Sequence, residues 1–201
     1  MERLGPSSRI HPEDSILQTA IYQDDLDDNE DQRVAELYNT LSASYDELYS
    51  QEQSSKHEAV MEFVKNERFE ILVDVGCGSG TFLQTSQQLY QYAVGIDISG
   101  EMLRTAKKKI PGNIDLVLAT SRTLPIKNDA ADALVSISTL KADSSLPHLL
   151  TEMSRICRKN GVLAVSLFQD LETQIPLLLS DSEQSAKISN RETLYFLRPN
   201  R

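Results

Sequence analysis

The stretch VDVGCGSG, residues 73–80, decides how the rest of the chain is read. An apolar run breaks into three glycines at alternate positions, Gly76, Gly78 and Gly80. A turn with so little side-chain bulk lets backbone N–H groups approach a ligand closely. Upstream, FEILVDVG (Phe69 to Gly76) is almost continuous in Ile, Leu and Val, the pattern of a strand buried on both faces. The glycines therefore sit where a buried strand ends, and Thr81 to Gln91 after them reads as a helix.

Outward from this turn the chain alternates. YAVGIDI (Tyr92 to Ile98), IDLVLAT (Ile114 to Thr120), ADALVSIS (Ala131 to Ser138) and GVLAVSLF (Gly161 to Phe168) read as further strands. Between them, EMLRTAKKK reads as a helix with Ser99 as its N-cap. Leu146, Leu149, Leu150, Met153, Ile156 and Cys157 mark the apolar face of another helix. Arg158 and Lys159 in its last turn and Gly161 as a left-handed cap would close it. Upstream of the glycines, Val34, Leu37, Tyr38, Leu41, Tyr45, Leu48 and Tyr49 share one helical face, broken by SQEQSSK (Ser50 to Lys56) before a short helix around Val60 and Phe63. After Phe168, Gln184 to Ser189 and Thr193 to Arg198 read as two last strands, and Pro176 argues against a long helix before them. Strands alternating with helices predict right-handed crossovers and a mainly parallel sheet covered on both faces.

In such a sheet a ligand lies beyond the carboxyl ends of the strands, at the first glycine turn. A dinucleotide site wants G-x-G-x-x-G; here the third glycine comes one residue early, and the fingerprint does not fit. GID (Gly95 to Asp97) places a carboxylate at the end of the second strand, where it can accept from both hydroxyls of a ribose. Turn and acid together point to an adenosine-containing ligand.

Composition narrows the class. The 201 residues carry a formal charge of −10, of which residues 1–33 hold nine acids against three bases, including DDLDDNED (Asp24 to Asp31). That segment reads as a flexible acidic tail, and the mildly acidic remainder lacks the basic footprint of a protein that grips nucleic acid unaided. No apolar run reaches the roughly 18 residues of a membrane helix, and MERLGPSSRIHPED has no signal-peptide core. The expectation is a cytoplasmic protein with no membrane partner. Cys77 and Cys157 are too few for a metal cluster, so no metal site is expected, and both read as packing residues. Arg104, Lys107, Lys108 and Lys109 read as a solvated basic helix face, and His57 and His148 as bland positions.

VDVGCGSG, then GIDIS, then TLPIKNDAADALVS, then LTEMSRICRKNGVLAVSL resemble the successive motifs of class I S-adenosylmethionine-dependent methyltransferases, across about Val34 to Phe168. The helix YNTLSASYDELY is similar to the lid helix of the branch holding the quinone-biosynthesis and wobble-uridine tRNA methyltransferases. The resemblance implies an α/β, doubly wound, seven-stranded Rossmann-like sheet over residues 34–201, with a helical lid, behind the acidic segment 1–33. It implies S-adenosylmethionine as cofactor. Asp74 and the turn Gly76, Cys77, Gly78 and Gly80 would face its methionine part, and Asp97 the ribose. Ile98 and Met102 would flank the adenine, and Tyr38 and Tyr45 would close from the lid. Ser136 and Ser138 would lie near the sulfonium. Thr120, with Ser121 beside it, stands where the family usually carries an acid toward the adenine amino group.

In-line methyl transfer is driven by alignment and desolvation and needs no compulsory acid–base pair, so no catalytic residue is assigned. SISTLKAD follows the fourth strand in place of an N-P-P-Y-like tetrapeptide, which disfavours the amino-methylating branch. Only 33 residues follow Phe168, too few for a substrate cap, and the third strand is unusually apolar for an edge. The expected acceptor is tRNA or another translation component, with a small zinc-ribbon activator pairing at that edge. A small-metabolite methyltransferase and a non-catalytic scaffold with the same fold are the alternatives.

Overall fold

The computed structural model describes residues 28–139, 145–168, 182–189 and 192–198. Two helices come first, α1 (Asp28–Leu41) and α2 (Tyr45–Phe63). Strands and helices then follow as β1 (Phe69–Val75), α3 (Thr81–Thr85), β2 (Tyr90–Asp97), α4 (Gly100–Lys107), β3 (Ile114–Leu118), β4 (Ala131–Ser136), α5 (Ser145–Ile156) and β5 (Cys157–Phe168), with a loop and no helix joining β3 to β4. The strands β6 (Ser182–Lys187) and β7 (Glu192–Leu197) complete one seven-stranded sheet of order β3-β2-β1-β4-β5-β7-β6. Every pairing from β3 to β5 is parallel, and β7 runs antiparallel to both β5 and β6. The order reverses between β1 and β4, so a crevice opens beyond the carboxyl end of β1.

Side-chain alternation along β1 divides the core. Ile71, Val73 and Val75 pack with Leu149, Leu150, Met153 and Ile156 of α5 on one face. Leu72 packs on the other with Val60 of α2, Leu83 of α3 and Leu103 of α4. Burial of each large apolar side chain contributes about 1.5–3 kcal/mol, so α5 and the α2–α4 layer hold the sheet from both sides.

Three expected element boundaries are corrected. The first two helices break at residues 42–44, where Ser44 N donates to Leu41 O at 3.0 Å, and not over Ser50 to Lys56. The gap in the apolar pattern is instead the polar face of α2, interrupted by one buried lysine, Lys56. The first of these helices, α1, spans Asp28–Leu41. The helix read over Thr81 to Gln91 stops at Thr85, and a 3-10 turn spans Gln87–Leu89 before β2. There the Ser86 hydroxyl bonds Phe82 O at 2.7 Å and competes with the helical ladder. Finally, α5 ends at Ile156 and Cys157–Phe168 is one strand, in which Asn160, not Gly161, takes the left-handed conformation (φ 64°). Gly161 is needed for space, since a Cβ there would lie 2.6 Å from Cys157 Sγ and 2.8 Å from Asp132 O. Pro176 and the part of SISTLKAD beyond Thr139 lie outside the described residues.

The lid is laid across the strand ends by polar contacts. Asn39 of α1 accepts from Ser99 Oγ at 2.7 Å and from Glu101 N at 3.2 Å. Asp46 of α2 pairs with Lys109 and accepts from Ser79 Oγ. Lys109 thus leaves the basic helix face to latch the lid, and Arg104 pairs with Glu101. Lys56 lies deepest of these, its Nζ 2.6 Å from Glu192 Oε2 of β7, 2.7 Å from Glu52 Oε1 and 2.7 Å from Ser138 Oγ.

Candidate functional site

The glycine turn folds as the sequence requires. Gly76, Gly78 and Gly80 all take positive φ (77°, 53° and 76°), open to glycine at little cost. Their roles differ. A Cβ on Gly76 would overlap the side chain of Thr139, whose hydroxyl bonds Val75 O at 3.0 Å. A Cβ on Gly78 would meet nothing within 4 Å, so this glycine faces open space. Gly80 caps α3 and backs onto Ala106 and Ile110 of the α4 segment, each 3.0 Å from where a Cβ would sit.

Two cavities meet at this turn and share Tyr45, Gly76, Gly78 and Ile137 in their walls. The first, of about 110 Å³, runs toward β2 and β3 and is lined by Asp97, Ile98, Met102, Thr120, Ser121 and Tyr38 among others. The second, of about 320 Å³, lies under α2 and is lined by Asp74, Cys77, His57, Tyr49 and Phe82 among others. Of the residues named from the sequence, Gly80 and Ser136 line neither cavity. Ser136 is still paired with Val165 inside the sheet, and its buried Oγ has no hydrogen-bond partner among the described residues. The backbone leaves the sheet one residue later, so Ile137, Ser138 and Thr139 form the wall instead.

Electrostatics at the turn are set by two acids at adjacent strand ends. Asp97 is buried, with Oδ2 accepting from Gly78 N and Oδ1 from Ser99 N, both at 2.8 Å. Burial raises its carboxyl from the ordinary value, and the backbone donors oppose that rise. Asp74 is buried with no such donor among the described residues, and burial, then the charge of Asp97, push it up to about 8. Cys77 is raised well above an ordinary thiol by burial and by both acids, so it is a poor nucleophile. His57 is pushed down to about 4 by burial and by the charge of Lys56, and is neutral near pH 7. Its ring lies 5.3 Å from that of Phe82. Tyr45, 6.0 Å from Tyr38 and 4.8 Å from Tyr49 ring to ring, is pushed up to about 12, chiefly by burial, and stays an O–H donor. Exposed His148 and fully buried Cys157 sit away from both cavities.

Sequence reasoning passed over Asp31, Lys56, Thr139 and Glu192. Asp31 had a signal: with Val34 and Tyr38 it follows a three–four spacing, and all three line the first cavity. Glu192 had none, because nothing local ties it to Lys56.

Strand order, glycine turn and strand-end acid together define the class I methyltransferase fold, whose cofactor is S-adenosylmethionine. Residues 73–165, a little under half of the chain, match the family model described as a methyltransferase domain. An uncharacterised protein of Methanocaldococcus jannaschii is 30% identical over 158 residues, covering 77% of this chain and 60% of the relative. The malonyl-acyl-carrier-protein O-methyltransferase of Pectobacterium atrosepticum is 26% identical, covering 69% of this chain and 54% of that enzyme. The chain thus spans little more than half the length of these relatives. Among solved structures, a putative methyltransferase of Haloferax volcanii, in complex with the Trm112 methyltransferase activator, superposes with a TM-score of 0.69 at 14% identity, over 82% of this chain and 98% of that one. No helix among the described residues is long and apolar enough to cross a membrane.

The residues fit the cofactor. Gly78 opens a cradle onto both cavities, a buried carboxylate stands at the junction, and apolar walls lead away from it.

Proposed function

We propose that the chain transfers a methyl group from S-adenosylmethionine to an acceptor. The observation that carries this reading is the meeting of two cavities at the glycine turn, one walled by Asp97, Ile98, Met102 and Thr120 among others and one lying under α2. Bound there, the cofactor supplies a methyl group activated on a cationic sulfonium. The chain's own part is to bind, align and keep out water. Asp97 holds the Gly78 and Ser99 amides in place and offers its remaining lone pairs to the ribose. Ile98 and Met102 would flank the adenine, and Tyr38 and Tyr45 would cover the junction from α1 and α2. Asp74, in the wall of the second cavity, would hold the methionine ammonium.

The acceptor reading is a translation component, with an activator subunit seated at the β3 edge. Support comes from the Haloferax volcanii likeness and from β3 itself, an edge strand with Leu118 56% exposed. Co-expression with a zinc-ribbon activator should raise the yield of monodisperse protein, and tRNA binding by the pair should weaken steeply with salt. Affinity that ignores salt, in a chain fully active alone, would favour the second reading. That reading is a small metabolite in the cavity under the lid, consistent with a relative named for malonyl-acyl-carrier protein.

Asp74 supplies a prediction specific to the cofactor. With its carboxyl near 8, it is largely protonated at pH 7, whereas in the unfolded chain it titrates near 3.9. Its contribution to stability is therefore complete below about pH 4 and is lost as pH rises through about 8. A cationic ammonium beside it reverses the preference, so S-adenosylhomocysteine binding at pH 7 should release up to about one proton. Calorimetry in buffers of different ionisation enthalpy reads this directly. Asp74→Asn should abolish the release and flatten the pH dependence of apo stability.

A further inference from the structure

We infer that Asp31, in the first turn of α1, recognises the exocyclic amino group of adenine, so that the lid itself carries the selectivity for the base. The inference rests on the S-adenosylmethionine reading above and names a residue that reading does not require.

The first cavity holds two carboxylates, Asp97 and Asp31. Asp97 is bound to the glycine turn through Gly78 N. Asp31 comes from the lid to the end formed by Ala119, Thr120 and Ser121, just past β3. The walls between are apolar, from Val34, Ile98, Met102 and Ala119. A flat base there has its faces satisfied by those side chains, but an amino group on its edge would be buried and needs an acceptor.

Three groups at that end are polar, and their bonds decide between them. Thr120 Oγ1 donates to Asp31 Oδ2 at 3.2 Å and accepts from Arg122 N at 3.3 Å, so its proton is committed and one lone pair is used. Arg122 Nε, buried, lies 3.5 Å from the same Oδ2 and makes no hydrogen bond among the described residues. The guanidinium keeps a counter-charge beside the acid without occupying its second oxygen. Both contacts fall on Oδ2, which among the described residues leaves Oδ1 of a buried carboxylate as the strong acceptor at this end. Ser121 is half-buried and can turn toward solvent.

The chemistry gives a sharp consequence. An amino group donates to Oδ1; a 6-oxo base presents a carbonyl oxygen to the same carboxylate and is repelled. A site built around a hydrogen bond rejects the analogue that cannot make it far better than an apolar pocket does. A carboxylate that only tethers α1 to Thr120 and Arg122 would affect every ligand of the cavity alike.

The test is calorimetric titration of the full chain with S-adenosylhomocysteine and with S-inosylhomocysteine, which differ only at that edge. Wild type should prefer the adenosyl ligand by about 100-fold or more. In Asp31→Asn, whose amide can donate to a carbonyl, the adenosyl affinity should fall about 10- to 100-fold while the inosyl affinity holds or rises. Adding Thr120→Asp to that variant should restore the preference by returning an acid to the same place. Equal losses for both ligands in Asp31→Asn would assign Asp31 to tethering alone and overturn the inference, as would an unchanged preference. Wild type that binds neither ligand overturns the cofactor reading as well, which separates the two failures.

Discussion

Replacing Lys56 by methionine should lower folding stability by about 3–5 kcal/mol, a fall of about 6–20 °C in thermal midpoint for a chain of this size. Lys56 and Glu192 are each 1% exposed. The ammonium donates to Glu52 Oε1 and to Ser138 Oγ, each at 2.7 Å, and forms an ion pair with Glu192 Oε2 at 2.6 Å. Ser138 Oγ in turn donates to Glu192 Oε1 at 3.0 Å. Removing the lysine leaves Glu192 as an uncompensated buried charge, which is the costly half of the change. Removing both charges is different, because the desolvation of each ion disappears with it. The double variant Lys56→Met, Glu192→Leu should therefore lie within about 1 kcal/mol of wild type or above it. Denaturant melts of Lys56→Met, of Glu192→Leu and of the double variant decide the matter. Costs that simply add would show that the pair contributes nothing beyond the packing of its two side chains.

This network also reaches the site. Ser138 lies in the wall of the first cavity with φ 56°, a left-handed conformation unfavourable for serine. It is held there by Lys56 and Glu192 through its hydroxyl and by Ser166 Oγ, which accepts from its N–H at 2.7 Å. The ion pair thus fixes a strained residue of the cavity wall while joining α2 to β7. The double variant, though stable, should bind S-adenosylhomocysteine more weakly than wild type.

The legible parts of this protein were those whose cause is local. β1 showed in an almost continuous apolar run, the turn after it in three glycines that all take positive φ, and the cap of α4 in Ser99, whose Oγ accepts from Met102 N at 3.1 Å. Asp97 was legible because a strand-end acid in a parallel sheet has few places to point. What stayed hidden depends on contacts far apart in sequence. Lys56 resembled a solvated residue in a polar break until Glu192 and Ser138 supplied its partners. Asp31 resembled part of an acidic tail because charge runs favour solvent, and only the docking of α1 turned it inward. Ser136 was misplaced by a strand that kept its pairing through that residue before the backbone turned away.

Asp97→Ala should weaken S-adenosylhomocysteine by about 10- to 150-fold, the worth of charge-assisted bonds of ~1.5–3 kcal/mol. Two causes can produce that loss. The carboxylate accepts from Gly78 N and Ser99 N at 2.8 Å, so its removal loosens the turn as well as any contact to the ribose. A cycle with the 2′-deoxyadenosyl analogue separates them, since groups that touch are not additive. If Asp97 accepts from the ribose, the analogue has already lost part of what the substitution removes. Its affinity should then fall several-fold less than that of the parent ligand when Asp97→Ala is introduced. Equal falls would place the whole effect in the turn. The apo melting temperature supplies the remaining check. Burial raises the Asp97 carboxyl, so deleting it relieves a desolvation cost while orphaning two amides. These terms oppose one another, and stability should change far less than affinity. A variant that binds poorly yet melts near wild type is the signature of a carboxylate kept in a buried position for its ligand.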